Sequence, residues 1–348
     1  MRSSHSGAKY TRAYLIGRPL ATVCAVGVCL AGTPLQAQPQ AVARATAPET
    51  RPEVWGFAAP WDPRSAATLA AHAPALRVVI SGWLRLDTLS ALPASAYRDT
   101  LRMPYGTKRY LLVTTYARDR FHPETIRRLA ADRALRTRSA AAIALWAYQH
   151  RYRGIVLDFE SLVPADSDAL SAVVRAIAAA AHRRHVKPVT VAVPPADTLT
   201  YAARRLTAAD LLLPMLYDQH WSTGAPGPIA SPDWVRQLLA PWVSTAGASR
   251  LVAALPVYGY LWKSPSAAAV LSFDDAQRQS AAIGVPLDRD SASGTLHFTR
   301  PDSAQGWVSD AMSLQRLMRE ADSAGVHRFA LWRLGLEDPA IWPLLGAR

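Results

Sequence analysis

Eight short β-rich apolar runs, most of them separated by longer stretches of helical period, constrain this chain more than any other feature. The runs are VWGFA from Val54, RVVIS from Arg77, YLLVTTY from Tyr110, GIVLDFE from Gly154, VTVAV from Val189, LLLPMLYD from Leu211, LVAALPVYG from Leu251 and RFALW from Arg328. Continuous apolar strands of this kind belong in a parallel sheet covered on both faces. Helical periodicity is clearest over 139–150, 167–185, 232–244 and 309–324. Eight strand-helix units in about 290 residues predict an α/β chain folded as a (β/α)8 TIM barrel. A doubly wound open sheet would need a glycine-rich phosphate turn after an early strand, and neither GxGxxG nor a Walker sequence is present. The long gap before the eighth run, about 263–308, predicts a small α+β insertion between strand seven and helix seven. In a barrel it stands over the strands' C-terminal ends, where sites form.

The first residues carry Arg2, Lys9, Arg12 and Arg18 without an acid, then the apolar run from Leu20 and LQA ending at Ala37. This order predicts a signal peptide over 1–37 and a secreted or periplasmic protein with no stable membrane insertion after cleavage. The apolar run is about 13 residues, short of the roughly 20 a spanning helix requires. Residues 38–52 read as a linker and 53–348 as the barrel. Both cysteines, Cys24 and Cys29, fall in the segment to be removed, so disulfides and thiol chemistry are excluded from the mature chain. Cleavage leaves 35 basic against 26 acidic residues, a net charge of +9. The arginines are scattered and not interleaved with aromatics, so no nucleic-acid partner is expected. The nine histidines form no HExxH-like spacing, and neither a metal nor an organic cofactor is expected.

Chemistry concentrates at three strand ends. Asp158 and Glu160 are two apart in the fourth run, so both carboxyls face the same way near its C-terminal end. Crowding two carboxylates raises one pKa and keeps a proton available for general-acid catalysis. Ion pairing of strand-end acids with arginine is the alternative. Met215 and Tyr217 share a face in the sixth run, with Asp218 following. A tyrosine there can donate to a substrate carbonyl or simply sit in the core. Trp332 ends the eighth run, where an indole can floor a sugar ring.

These strand ends, in this order, resemble the family 18 glycoside hydrolases, the chitinase-like barrels. Within them they are most similar to the bacterial subgroup containing spore-germination and peptidoglycan N-acetylglucosaminidases. GIVLDFE corresponds to the DGxDxDxE signature of strand four and MLYD to the MxYD of strand six. LPVYGYLW, GWVSDAMSLQRLM and ALWRLGLED match later segments, and the likeness covers roughly residues 53–343. It implies a substrate-assisted, retaining hydrolysis of an amino-sugar polysaccharide. By that likeness Glu160 protonates the glycosidic oxygen, Asp158 stabilises the acetamido group as it attacks, and Tyr217 binds the acetamido oxygen. Trp332 carries the sugar, with Asp218, Met215, Trp262, Trp83 and Tyr258 as further lining residues.

Arg153 and Val156 stand where the signature has its first two aspartates, so only the last two carboxylates of that ladder remain. Two other readings stay open: a barrel that binds amino-sugar polymers without cutting them, and a glycosidase pairing Glu160 with Asp218 or Glu337. No wall-binding repeat is present, and no sequence feature specifies an oligomeric state.

Overall fold

A computed structural model describes residues 52–95, 106–264 and 267–346. The expected signal peptide and all of the expected linker except Pro52 lie outside these residues. The barrel strands are β1 (Glu53–Phe57), β2 (Val78–Leu86), β3 (Lys108–Thr114), β4 (Gly154–Asp158), β5 (Val189–Val193), β6 (Leu211–Pro214), β7 (Ala253–Pro256) and β8 (Arg328–Trp332). They run parallel in the order β7-β8-β1-β2-β3-β4-β5-β6. Closure between β6 and β7 rests on two isolated parallel bridges, Leu212 to Leu251 and Met215 to Ala254.

Side-chain alternation divides the apolar residues into two cores. Along β4, Ile155, Leu157 and Phe159 enter the layer between strands and helices. Val156 joins Trp55, Ile80, Leu112, Leu213 and Ala330 inside the cylinder. This is the period of two applied to a closed sheet. The outer layer is built by α1 (Pro63–His72), α2 (Pro123–Ala131), α3 (Arg133–Gln149), α4 (Ser167–His182) and α5 (Pro232–Ala246). An insertion helix α6 (Phe273–Ala282) precedes α7 (Ala311–Ser323) and α8 (Ile341–Gly346).

Local chemistry sets the helix starts. Asp62 accepts from the Arg64 amide and Pro63 occupies the first turn of α1. Asp132 caps α3 through the Leu135 amide, and Asp310 with Ser313 forms a reciprocal cap on α7. Such caps satisfy amides that the helix itself leaves unpaired.

The regular alternation has exceptions. Residues 194–210, between β5 and β6, form turns and no helix, beginning at the helix-hostile pair Pro194–Pro195. No helix follows β2 among the described residues.

The expected insertion is present, with its sheet starting earlier than the sequence suggested. Gly259–Ser264 pairs antiparallel with both Ala267–Leu271 and Gln305–Val308. The sheet continues through Leu296–Thr299 to Asp288–Arg289. Pro256 ends β7, after which the chain leaves the barrel ladder. Close approach fixes Gly259: a Cβ there would lie 2.1 Å from the Trp307 carbonyl oxygen. Among the described residues no helix is long and apolar enough to cross a membrane.

Candidate active site

The acidic pair sits where β4 gives way to its following loop. Asp158 is the last strand residue, in register with Thr114 at the end of β3. Phe159 turns outward and is fully buried, which sends Glu160 to the same side as Asp158. The Tyr201 hydroxyl donates to the Phe159 carbonyl at 2.6 Å, fixing the backbone between the two acids. Tyr201→Phe would leave that buried carbonyl short of a partner and is expected to cost about 1–3 kcal/mol. Chemical denaturation measures this, and an unchanged midpoint would mean another donor replaces the phenol.

Burial is the largest influence raising both carboxyls. Glu160 is pushed well above the usual carboxylate range by burial, by the charge of Asp158, by a hydrogen bond with Asp158 and by the charge of Asp218. Asp158 is also raised by burial, but hydrogen bonds with Thr114 and Glu160 stabilise its ionised form. The shared proton therefore belongs on Glu160, which donates to Asp158. This is the acid/base division that a crowded pair allows.

Tyr217, just past β6, lies parallel to the Trp332 ring with centroids 5.8 Å apart and 12° between planes. Its phenol is kept protonated by burial and then by the charges of Glu160, Asp158 and Asp218. Trp332 also meets Phe57 edge-on at 5.1 Å and Trp83 at 6.3 Å. Trp83 donates from Nε1 to the Ala58 carbonyl at 2.9 Å and meets the exposed Trp61 at 4.7 Å. An aromatic wall thus runs from Tyr217 through Trp332 and Trp83 to Trp61.

Asp218 adopts a left-handed backbone, φ 62°. Its Oδ1 accepts from the Tyr258 hydroxyl and, at 3.2 Å, from the Tyr260 hydroxyl. Burial raises its pKa to about 6 against the opposing effect of those two donors. Among the described residues no group of three or more His, Cys, Asp or Glu could hold a metal ion.

No family model matches the sequence. The uncharacterized glycosylase YvbX of Bacillus subtilis is 24% identical over 236 residues, 64% of this chain and 69% of YvbX. The cortical fragment-lytic enzyme of the same organism is 24% identical over 282 residues, 75% of this chain and 64% of that enzyme. The crystal structure of a chitinase from Chromobacterium violaceum has a TM-score of 0.75 at 22% identity, covering 84% of this chain and 98% of the other. The chain has the TIM-barrel fold of this chitinase and is similar in sequence to the two Bacillus enzymes.

Within this chitinase-like barrel, the structure brings Asp158, Glu160, Tyr217, Asp218 and Trp332 together, with Trp83 beside Trp332. Met215 is nearly buried in the inner core. Tyr258 is 3% exposed and acts on Asp218 through its hydroxyl. Trp262 does not line the site: it is 1% exposed. Its Nε1 donates to the Gly224 carbonyl at 2.9 Å, and the ring packs with Ile229, Tyr260 and Leu336. The insertion's sheet turns it inward to hold the loop after β6.

Glu337 is likewise excluded as the partner of Glu160. Its carboxylate accepts from Thr68 at 2.6 Å and from the Gly335 and Leu336 amides. Sequence reasoning missed Thr114 and Tyr260. Both had a signal in strand alternation: Thr114 ends the run facing β4, and Tyr260 is two residues beyond Tyr258.

Proposed function

We propose that this chitinase-like barrel is an exported glycoside hydrolase that cleaves polysaccharide containing N-acetylglucosamine, by retaining, substrate-assisted hydrolysis. The carrying observation is the buried, hydrogen-bonded pair Glu160 and Asp158 beside the Tyr217–Trp332 stack, where burial and the Asp158 charge raise the Glu160 carboxyl well above the usual range. The relatives named above, a glycosylase and a cortical fragment-lytic enzyme, support a glycosidase. The order of charge, apolar run and small residue over 1–37 supports export.

In this mechanism Glu160 transfers its proton to the glycosidic oxygen as the bond to the anomeric carbon breaks. The acetamido oxygen of the same sugar forms the new bond to that carbon, giving a cyclic oxazolinium ion. Ionised Asp158 faces the positive charge that develops on the acetamido nitrogen. Tyr217, held protonated, donates to the acetamido oxygen. Glu160, now ionised, takes a proton from water as the water opens the ring, and the anomeric configuration is retained. No protein carboxylate needs to reach the anomeric carbon, which fits a second carboxylate committed to hydrogen bonding with the acid.

The test incubates the mature protein and its Glu160→Gln variant with peptidoglycan, chitooligosaccharides and poly-N-acetylglucosamine. Mass spectrometry identifies the products and NMR their first-formed anomer. Cleavage after N-acetylglucosamine with retention, lost in the variant, is the expected result. A folded wild type that binds but cuts none of these polymers would make it a carbohydrate-binding barrel. Tyr217→Phe keeps the stack on Trp332 and removes one donor, so kcat is expected to fall about 10²-fold with little change in thermal midpoint. An unchanged kcat would remove the phenol from the mechanism.

A further inference from the structure

The aromatic wall of the mouth carries a cation of its own on β2. Along that strand Leu84 and Leu86 enter the layer between strands and helices, while Trp83 packs on the interior of the cylinder. The period of two therefore sets Arg85 on the side of Trp83, one step nearer the rim. Its register partner on β3 is Thr114, and Thr114 is in turn the register partner of Asp158 on β4. Arg85 and Asp158 thus stand at one level of the mouth, two strand spacings or about 10 Å apart.

Arg85 is partly buried, and among the described residues it has neither an ion pair nor a hydrogen bond. A guanidinium drawn partly out of water without a counterion loses hydration that nothing in the protein replaces. The acids around it are committed elsewhere. Asp158 is hydrogen-bonded with Thr114 and Glu160, and Asp218 accepts from two phenols. Asp87, two residues on, accepts from the Leu89 and Ser90 amides and from the Ser90 hydroxyl. The other arginine of the wall is different. Arg333 lies 5.9 Å over the Trp61 ring and donates at 2.9 Å to Asp62, a buried carboxylate that also holds the Arg64 side chain at 2.8 and 3.0 Å.

We propose that Arg85 is a specificity-determining cation that binds a carboxylate carried by the sugar next to the one on Trp332. The identity of the polymer rests on the glycosidase reading above. A planar guanidinium presents paired N–H donors that match the two oxygens of a carboxylate. Trp83, 6.3 Å from Trp332, supplies the apolar surface for the neighbouring ring, and Arg85 stands two residues beyond it. Such a subsite separates two kinds of polymer that present the same acetamido group to Asp158 and Glu160. Chitin-type chains are uncharged and leave Arg85 unpaired. A chain alternating N-acetylglucosamine with N-acetylmuramic acid carries a 3-O-lactyl carboxylate on every second sugar and neutralises it.

The test measures binding apart from hydrolysis, by calorimetry on the Glu160→Gln protein. Its ligands are a chitooligosaccharide, a peptide-stripped glycan of equal length with free lactyl carboxylates, and the same glycan with those carboxyls converted to neutral amides. The carboxylate form is expected to bind about 10–100-fold more tightly than either neutral ligand, with a preference that shrinks as salt is raised. Adding Arg85→Gln should remove the preference and leave chitooligosaccharide affinity unchanged. Arg85→Lys keeps the charge without the fork and should restore part of it. Thermal unfolding verifies the fold of each variant, and the salt series with Arg85 in place decides the matter if a variant unfolds. Equal affinity for all three ligands, or an equal loss on all three in the Gln variant, would overturn the proposal. A retained preference in a protein that cuts none of them with Glu160 intact would remove the hydrolase reading and leave this one standing.

Discussion

The Glu160→Gln protein is expected to cleave its polymer about 10²–10⁴-fold more slowly than wild type, with kcat carrying the loss and KM nearly unchanged. Glutamine keeps the size and can still hydrogen-bond Asp158, so the fold has no reason to change. What disappears is the proton that burial and the Asp158 charge hold on this carboxyl. The loss should depend on the leaving group. An N-acetylglucosaminide of an acidic phenol needs little protonation as it departs and should recover most of the rate, whereas an unactivated sugar should recover none. Steady-state rates on the two substrate types make the comparison. Equal losses on both would assign Glu160 a role other than proton donation.

For Asp158→Asn the expected fall in kcat is about 10²–10³-fold, accompanied by a shift in the pH profile. The sign follows from what holds the Glu160 proton. Burial raises Glu160 first, and the negative charge of Asp158 raises it further. Removing that charge lets Glu160 ionise at lower pH. Activity of the variant therefore declines at lower pH on the alkaline side, where wild type still holds its proton. A pH series of kcat/KM on a soluble chitooligosaccharide measures both effects. An alkaline limb that stays in place while kcat falls would mean Asp158 acts on the acetamido group without setting the state of Glu160.

Much of the barrel was legible because burial on both faces makes each strand a continuous apolar run. VTVAV and RFALW correspond to β5 and β8 residue for residue. In two of the runs that overshot, proline explains it: Pro214 and Pro256 end β6 and β7, since a residue without an amide hydrogen cannot extend the ladder. Helix α1 was overlooked because PRSAATLAAH has a weak apolar stripe, although Asp62 and Pro63 announce its start. That the acids at 158 and 160 share a face was legible through alternation, whereas their roles came from the family resemblance. The placement of Trp262 was not legible, because which wall an indole faces depends on an antiparallel partner 43 residues away, Gln305. The effect of Val156 was legible only as an absence. The structure supplies its counterpart: Thr114, reached across the β3–β4 ladder, holds Asp158 where the signature would have another carboxylate below it.

The isolated bridges between β6 and β7 have a consequence for how the cylinder is fastened. The first and last staves, β1 and β8, are joined over four consecutive residue pairs, so the ends of the fold are the well-sewn edge. The slit lies between two neighbours in sequence, and above it Asp218, following β6, is clasped by Tyr258, following β7. Asp218, whose charge acts on Glu160, is thus also the buckle of the barrel. A sugar that draws Asp218 toward itself must loosen the one joint that the backbone leaves nearly unstitched, and occupancy of the mouth and the tightness of the hoop become the same variable.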